Sequence, residues 1–323
     1  MADIPILSLE EHFLDPVTRN SQTGPDHFAN FPAPTMDKLG SLGSTRLASM
    51  SSAGVALQVL SHVPLDPTPE VAGATNDRLA AAIAAHPTRF AGFATLPLCD
   101  PHAAADELKR CVQTLGFAGA LVDAHHRGRT YDDKDYWPVF EAAQSLDCVV
   151  YVHPAFPAEG AWAEHYEGNY GKDVAMALGA FGLGWHSETA LAFLKMFAAG
   201  LFEEFPRIKV VLGHMGEGLP FFLDRIYKAA ARWGRQRSLE EVWNENVWVT
   251  TSGIFSLAPL SCLLQTTKIG RILFSVDYPF SENQLGRDFL VKMQKSGLLT
   301  KDELEGIAYR HAETLLKLKI ARD

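Results

Sequence analysis

The stretch CVVYVH, residues 148–153, is a run of β-branched and other apolar residues that ends in a histidine. Continuous apolar character, without alternation of apolar and polar residues, is typical of a strand buried on both faces of a parallel sheet. His153 then stands at the carboxyl end of the predicted strand, where parallel sheets place their polar functional groups. The same combination of apolar run and polar end recurs along the chain.

Seven further runs of this kind are separated by loops and amphipathic helical segments. Together the eight predicted strands cover residues 4–9, 55–60, 90–96, 118–122, 148–152, 208–212, 247–251 and 271–276. Strands that alternate with helices indicate βα units and a parallel sheet. Eight such units in 323 residues predict a (β/α)8 TIM barrel, an α/β fold, as a single domain spanning residues 1–323.

Three segments depart from the simple βα unit. Residues 13–45 are rich in Pro, Gly and Asn, and residues 154–184 are rich in Gly, Trp and Tyr. Both follow predicted strands directly, so we expect insertions after strands 1 and 5 on the catalytic face of the barrel. Residues 301–317 predict an extra amphipathic C-terminal helix packed on the outside.

Composition excludes several classes of function. The net charge of −9 disfavours nucleic acid as a partner. None of the four cysteines forms a C-x-x-C pair, so we expect buried free thiols in a reducing compartment. Neither a signal peptide nor an apolar run of membrane-spanning length is evident. The sequence therefore predicts a cytoplasmic protein with no membrane partner.

Polar residues at strand ends form a candidate metal site. In Glu10-Glu11-His12, alternation along a strand places Glu10 and His12 on the same face. His153 and Asp277 follow two other strands. A lone histidine after a strand is more often a hydrogen-bonded core residue, but four acid or imidazole groups at ordered strand ends favour a ligand set. Imidazole with carboxylate suits one divalent ion, Zn²⁺ in first place and Mn²⁺ or Mg²⁺ as alternatives.

The segment GHMGEG, residues 213–218, carries a second candidate function. Its glycines allow a sharp turn at the end of strand 6, which directs His214 to the barrel mouth. Glu217, three residues later, is placed to accept the imidazole N–H and hold one tautomer. The alternative is a glycine turn with a capping glutamate, and the neighbouring metal site favours the catalytic interpretation.

A series of motifs along nearly the whole chain resembles one family. They include LEEHF at 9–13, YVHP at 151–154, GHMGEG at 213–218, TTSG at 250–253 and RILFSVDYPF at 271–280. On these motifs the chain resembles the metal-dependent, non-oxidative hydroxybenzoate decarboxylases of the amidohydrolase superfamily, of the γ-resorcylate and 2,3-dihydroxybenzoate type.

The resemblance implies a site and a reaction. It implies metal ligands at Glu10, His12, His153 and Asp277, catalytic roles for His214 and Glu217, and an Arg225 that reaches an active site or subunit interface. The substrate would be a small aromatic carboxylic acid that loses CO2 with no organic cofactor, in a homodimer or homotetramer. We expect Asp277 to protonate the ring carbon, and the pocket wall to include Phe280, Tyr278, His62 and Asp123.

Departures from the family pattern leave the substrate open among salicylate, 2,3-dihydroxybenzoate and 2,6-dihydroxybenzoate. Asp123 replaces the usual Asn after GALV, Ile254 follows TTSG where relatives often have a polar residue, and His62 replaces an Asn of γ-resorcylate decarboxylase. Two rival functions remain. One is a metal-dependent hydrolase of a small lactone or amide, although no strand ends in the lysine of a binuclear site. The other is a ligand-binding barrel without catalysis.

Overall fold

The apolar runs form eight parallel strands, and the computed structural model describes residues 4–22, 26–29 and 31–321. The strands are β1 Ile6–Phe13, β2 Val55–His62, β3 Phe90–Ala94, β4 Gly119–Asp123, β5 Val149–His153, β6 Lys209–Leu212, β7 Val247–Thr250 and β8 Ile272–Leu273. Each pairs in parallel with the next in chain order. The register sets Asp123 opposite His153 and His12 opposite Ser61. The predicted TIM barrel is confirmed.

Helices surround the strands. Their bounds are α1 Pro16–Asn20, α2 Ala33–Leu39, α3 Ser44–Ser52, α4 Pro69–Ala85, α5 Pro101–Gln113, α6 Trp137–Ser145, α7 Lys172–Ala177, α8 Gly184–Ala199, α9 Leu201–Glu204, α10 His214–Glu217, α11 Leu219–Ala230, α12 Leu239–Asn246, α13 Leu257–Thr266, α14 Asn283–Ser296, α15 Lys301–Glu305 and α16 His311–Leu316. Shorter 3₁₀ turns cover Lys134–Tyr136 and Ile269–Arg271, and π turns cover Trp162–Tyr166, Leu178–Gly182 and Gly306–Arg310.

Local sequence explains where these helices begin and end. The Asp100 carboxylate caps α5 by accepting from the N–H groups of His102 and Ala103, and Pro101 occupies the first turn, where its missing N–H costs nothing. A capping box begins α12, in which the side chains of Ser238 and Glu241 each accept from the backbone N–H of the other. The predicted C-terminal helix is continuous in course but has three parts, α15, the π turn Gly306–Arg310 and α16.

The seam between β1 and β8 closes the barrel through few contacts. The N–H of His12 donates to the carbonyl of Tyr278 over 2.6 Å, and the N–H of Asp277 donates to the carbonyl of Glu10 over 3.1 Å. β1 runs four residues past its predicted end, whereas β8 is shorter than predicted. Beyond β8, the Thr251 hydroxyl accepts from the backbone N–H of Ser275 and donates to its C=O. A side chain thus takes the place of backbone-to-backbone hydrogen bonds at this point.

Both predicted insertions lie over the mouth of the barrel. Part of the first, at 23–25 and 30, lies outside the described residues. The rest of it packs a small apolar cluster around Leu14, Phe28 and Leu39, against which Phe156 of the second insertion and Phe280 also pack. The two insertions therefore share one apolar covering above the strand ends.

The main core joins side chains of all eight strands and their helices. All four cysteines are free. Cys111 and Cys148 are buried as predicted, but Cys99 is exposed because it lies in the turn just before α5. Within the described ranges, we find no helix that combines the length and the apolar character needed to cross a membrane.

Candidate metal centre

Strand β1 carries two candidate ligands into the barrel mouth. Glu10 and His12 are fully buried, and alternation along the strand sends both toward the interior while Glu11 points outward. Glu10 Oε1 lies 3.9 Å from His12 Nε2. The other oxygen, Oε2, accepts a hydrogen bond from the hydroxyl of Tyr151, which itself lies 2.9 Å from the Thr250 hydroxyl. Tyr151 thereby holds Glu10 in one orientation.

His153 comes from the end of β5, across the barrel. Its Nδ1–H donates to the Pro154 carbonyl over 2.7 Å, and its Nε2 lies 3.2 Å from Glu10 Oε1. A hydrogen bond that fixes one ring nitrogen and leaves the other toward a shared point is the usual arrangement of a metal-ligating histidine. Sequence reasoning missed Tyr151, although its position two residues before His153 puts both side chains on the same face of β5.

Asp277 follows β8 with a backbone φ of 72°, a left-handed conformation that is uncommon outside glycine. This conformation turns its carboxylate into the mouth. Oδ1 lies 3.3 Å from His12 Nε2, and Oδ2 lies 3.8 Å from His214 Nε2. These distances bring Asp277 to the pair formed by Glu10 and His12.

Two buried polar atoms at the centre of this group have no hydrogen-bond partner among the described residues, namely Glu10 Oε1 and His12 Nε2. Leaving buried donors or acceptors unpaired costs about 1–3 kcal/mol each. A divalent ion held between these residues would satisfy both atoms. Candidate ligand atoms of Glu10, His12 and His153 lie within 4.8 Å of one another. The residues present therefore fit a divalent cation.

The charges of neighbouring groups shift the pKa values of the candidate ligands. Burial opposes ionisation of Glu10, but His214, His12 and His153 hold the pKa of its carboxyl well below the usual value. Burial also opposes protonation of His12, yet Asp277 and Glu10 raise the pKa of His12 to about 9. For His153, burial outweighs the attraction of Glu10 and lowers the pKa. Protons and a cation thus compete for the same carboxylate-rich site.

The turn after β6 places His214 beside this group, as predicted. His214 Nε2 lies 3.6 Å from Glu10 Oε1, and His214 Nδ1 lies 2.9 Å from Glu217 Oε1. The turn needs Gly213, because a Cβ there would lie 2.8 Å from Glu10 Oε2. Glu217 accepts the Nδ1–H of His214, so the imidazole keeps Nε2 directed to the site.

His186, on α8, is a cavity residue that sequence reasoning missed. Its Nδ1 lies 2.6 Å from Glu217 Oε2, and its ring centroid lies 4.8 Å from that of His214. Burial raises the pKa of Glu217, but the two histidines outweigh it and lower the pKa. No motif marks His186, because it belongs to a helix that follows the second insertion and is far along the sequence from any strand end.

A cavity of about 500 Å³ opens above the candidate ligands. His153, His214, His186 and Asp277 form its polar floor. Half of the remaining lining residues are aromatic, and they come from both insertions, from the start of α8 and from the segment after β8, namely Phe28, Phe31, Phe156, Phe181, Trp185 and Phe280. An apolar cavity with a few convergent polar groups is the usual form of a small-molecule site.

Phe280 lies on the cavity wall, 5.6 Å from the His12 ring between centroids, as the sequence predicts. Tyr278 does not line the cavity, because it is one residue after Asp277 and points to the opposite side, where the Arg46 guanidinium lies 4.8 Å from its ring centroid. Arg225 is exposed on α11, away from the cavity.

His62 and Asp123 line a separate, much smaller cavity. Both nitrogens of His62 are occupied by backbone groups, since Nδ1–H donates to the Val63 carbonyl and Nε2 accepts from the Asp15 N–H. Burial lowers the pKa of His62 to about 4, so it is a neutral residue that fixes the loop after β2. Burial raises the pKa of the Asp123 carboxyl well above its usual value.

Comparison with known proteins places these features in one family. The profile of the Amidohydrolase family matches residues 12–318. Decarboxylase orsB of Emericella nidulans is 46% identical over 329 residues, covering 99% of each chain. Gamma-resorcylate decarboxylase of Polaromonas sp. is 35% identical over 335 residues, covering 97% of this chain and 98% of the relative.

Solved structures agree with the sequence comparison. A dihydroxybenzoic acid decarboxylase from Polaromonas sp., crystallised with manganese and the inhibitor 2-nitroresorcinol, superposes with a TM-score of 0.86 at 32% identity and 97% coverage of both chains.

Proposed function

This chain belongs to the amidohydrolase family, among relatives that are hydroxybenzoate decarboxylases, and on that premise we propose that it decarboxylates an ortho-hydroxylated benzoate to the phenol and CO2. Candidate substrates are salicylate, 2,3-dihydroxybenzoate and 2,6-dihydroxybenzoate. The observation that carries the proposal is the pair of unpartnered buried atoms, Glu10 Oε1 and His12 Nε2, at the floor of an aromatic cavity.

One divalent ion would be held by Glu10, His12, His153 and Asp277. When bound, such an ion withdraws electron density from a carboxylate and a phenol oxygen and fixes their orientation. Zn²⁺ is our first proposal because two imidazoles stand beside two carboxylates. Mn²⁺ is the alternative, supported by the manganese of the Polaromonas structure, and Mg²⁺ is a further one.

The protein's own groups account for the movement of protons. His214 Nε2 accepts the proton of the ring hydroxyl, while Glu217 keeps the imidazole in one tautomer. Asp277 gives a proton to the ring carbon that carries the carboxylate. The bond from that carbon to the carboxylate then breaks, its electrons restore the aromatic ring, and CO2 leaves. His214 returns its proton to the ring oxygen, which gives the phenol and resets the imidazole. Solvent returns a proton to Asp277 for the next turnover.

The aromatic wall supplies a dry site around the ring. Phe280 and Phe31 contact each other at 5.6 Å between centroids, and Phe156 contacts Trp185 at 5.1 Å. Excluding water strengthens the electrostatic contacts of a bound carboxylate with the floor of the cavity. A flat aromatic acid therefore suits both the shape and the chemistry of the cavity.

The test is elemental analysis of the purified protein followed by a screen for CO2 release. We expect about one equivalent of divalent metal and release of CO2 from at least one of the three candidate benzoates. Removal of the metal by a chelator should abolish release, and adding Zn²⁺ or Mn²⁺ should restore it. A metal-replete protein that opens lactones or amides but releases no CO2 would establish the hydrolase instead.

Oligomeric state and compartment belong to the same proposal. We expect a homodimer or homotetramer, because Phe221 and Phe222 on α11 are 77% and 54% exposed next to Arg225. Light scattering after gel filtration tests this. The free buried thiols of Cys111 and Cys148 suit the reducing cytoplasm.

A further inference from the structure

His186 occupies the cavity without a role in the reaction described above. It lies near the start of α8 and forms part of the floor beside His214. It is outside the candidate ligand set, because its hydrogen bond goes to Glu217 rather than to Glu10 or Asp277.

The hydrogen bond to Glu217 determines which atom of His186 faces a ligand. A carboxylate only accepts, so Nδ1 of His186 carries the proton that it donates to Glu217 Oε2. Glu217 Oε1 accepts the Nδ1–H of His214 in the same way. Nε2 is the remaining polar atom of the His186 ring, and it makes no hydrogen bond to any residue that the structure describes. In the neutral ring, Nε2 is an acceptor.

The unprotonated Nε2 determines which ligand group can bind there. His186 lines the cavity, and Nε2 accepts a hydrogen bond but cannot donate one. A ring hydroxyl can donate to this nitrogen. A carboxylate or a methyl group cannot.

The position of His186 relative to the candidate ligands indicates which part of a substrate it meets. His214 Nε2 is 3.6 Å from Glu10 Oε1, and the His186 ring lies beyond His214, 4.8 Å away between centroids. A benzoate whose carboxylate and adjacent hydroxyl lie at the ligand group therefore presents another ring position to His186.

We propose that His186 is a specificity residue whose Nε2 binds a second ring hydroxyl, so that the site prefers dihydroxybenzoates to salicylate. The inference rests on the proposed function, since it assumes a hydroxybenzoate in the cavity. It adds a contact with the substrate itself, separate from the hydrogen bond through which His186 contacts Glu217.

Three substitutions separate these two contacts. His186→Phe removes both. His186→Asn places an amide N–H near the position of Nδ1, so it preserves the donor to Glu217 and loses the group that faces the ligand. His186→Gln places an amide near the position of Nε2, so it preserves the group that faces the ligand and loses the donor to Glu217. His165→Phe is the matched control, because the His165 side chain is 56% exposed in the second insertion, just before α8, and does not line the cavity.

The test is calorimetric binding of two unreactive probes to manganese-loaded protein. 2-Nitroresorcinol and 2-nitrophenol differ only by the second hydroxyl. We expect the wild type and His165→Phe to bind 2-nitroresorcinol about tenfold more tightly, which exceeds the twofold gain that its symmetry provides. His186→Phe and His186→Asn should reduce the ratio to about two, and His186→Gln should retain most of it.

Three outcomes would overturn the inference. They are a ratio near two in the wild type, an unchanged ratio in His186→Phe, or a ratio that His186→Asn keeps and His186→Gln loses. Failure of this inference can be distinguished from failure of the proposed function, because binding of these probes requires no turnover. The tenfold ratio with no CO2 release would leave His186 as a hydroxyl-binding residue in a site that performs another reaction.

Discussion

At the scale of single residues, two of the candidate ligands each have one atom fixed and another directed to a common point. His153 is fixed through Nδ1 by the Pro154 carbonyl, and Glu10 is fixed through Oε2 by the Tyr151 hydroxyl. Such outer contacts orient ligands and strengthen metal binding. The consequence is a site whose geometry exists before the ion or the substrate arrives.

Asp277→Asn should abolish turnover and keep the fold. An amide retains the size of the side chain but has no acidic proton to deliver, and loss of a general acid costs about 10²- to 10⁴-fold in rate. CO2 release, metal content and thermal unfolding should be measured together, with Asp288→Asn on the exposed face of α14 as the control. An active, metal-replete Asn variant would refute the role of Asp277 as the acid.

Metal affinity should rise with pH through the neutral range. Burial lowers the pKa of His12, but Asp277 and Glu10 raise it by more. The resulting pKa is about 9, compared with an ordinary value of 6.5. Between these values the free folded protein holds a proton at His12 that the ion must displace, since a ligating imidazole is neutral. Below about pH 9, affinity therefore falls as pH falls, and binding releases protons.

Calorimetry in two buffers of different ionisation enthalpy measures that release directly. We expect about one proton per ion near neutral pH from His12. An affinity that stays constant across this pH window would show that His12 is already deprotonated in the free protein.

Among the elements, the seam between β1 and β8 has few backbone hydrogen bonds, and a side chain joins its two sides. Glu11 points outward from β1, and its carboxylate accepts from the N–H groups of Val276 and Tyr278, each over 3.0 Å. These residues flank Asp277. Burial raises the pKa of Glu11 to about 8, against the N–H groups and Arg46, which lower it. Glu11 thus joins the strand that carries Glu10 and His12 to the segment that carries Asp277.

Glu11→Ala should weaken both the barrel and the site. Removing the carboxylate leaves two buried backbone N–H groups without an acceptor, at a cost of about 3 kcal/mol. Urea unfolding should show this loss, and elemental analysis should show reduced metal content because Asp277 is no longer held. Glu240→Ala on the exposed side of α12 is the control. Unchanged metal content with the expected loss of stability would limit Glu11 to a structural role.

For the molecule as a whole, the fold positions residues that are far apart in sequence at one rim. β1, β5 and the segment after β8 deliver the candidate ligands, and two insertions cover them with aromatic side chains. Parallel strands in a barrel all end at the same face, which is why loops after strands build the site. The candidate metal site, the cavity and its aromatic cover are therefore all positioned by the same barrel.

Removal of the ion should lower the melting temperature of the whole molecule. An ion present at 100 times its Kd stabilises the folded state by about 2.7 kcal/mol, which corresponds to about 4 °C for a chain of this size. Scanning calorimetry before and after chelation measures the shift, and restoring Zn²⁺ or Mn²⁺ should reverse it. Equal melting temperatures with and without bound metal would argue against ligation by the buried Glu10 and His12.

Much of the fold was predictable because local patterns suffice for it. Apolar runs of strand length, amphipathic helices and residues such as Asp100 at a helix start are properties of short segments. Strand alternation also placed Glu10 and His12 on one face. The candidate ligands, His214 and Glu217 were predicted because strand ends converge in any barrel of this topology.

The tertiary structure alone decided which other side chains reach the cavity. His62 and Asp123 follow strands as the ligands do, yet they line a separate cavity, and Tyr278 turns away to Arg46. His186 reaches the floor from a helix, with no motif to mark it. The physical reason is that the burial and the partners of these side chains depend on how the insertions pack over the rim of the barrel. That packing consists of contacts between residues far apart in the chain, and the periodicity of the sequence carries no information about them.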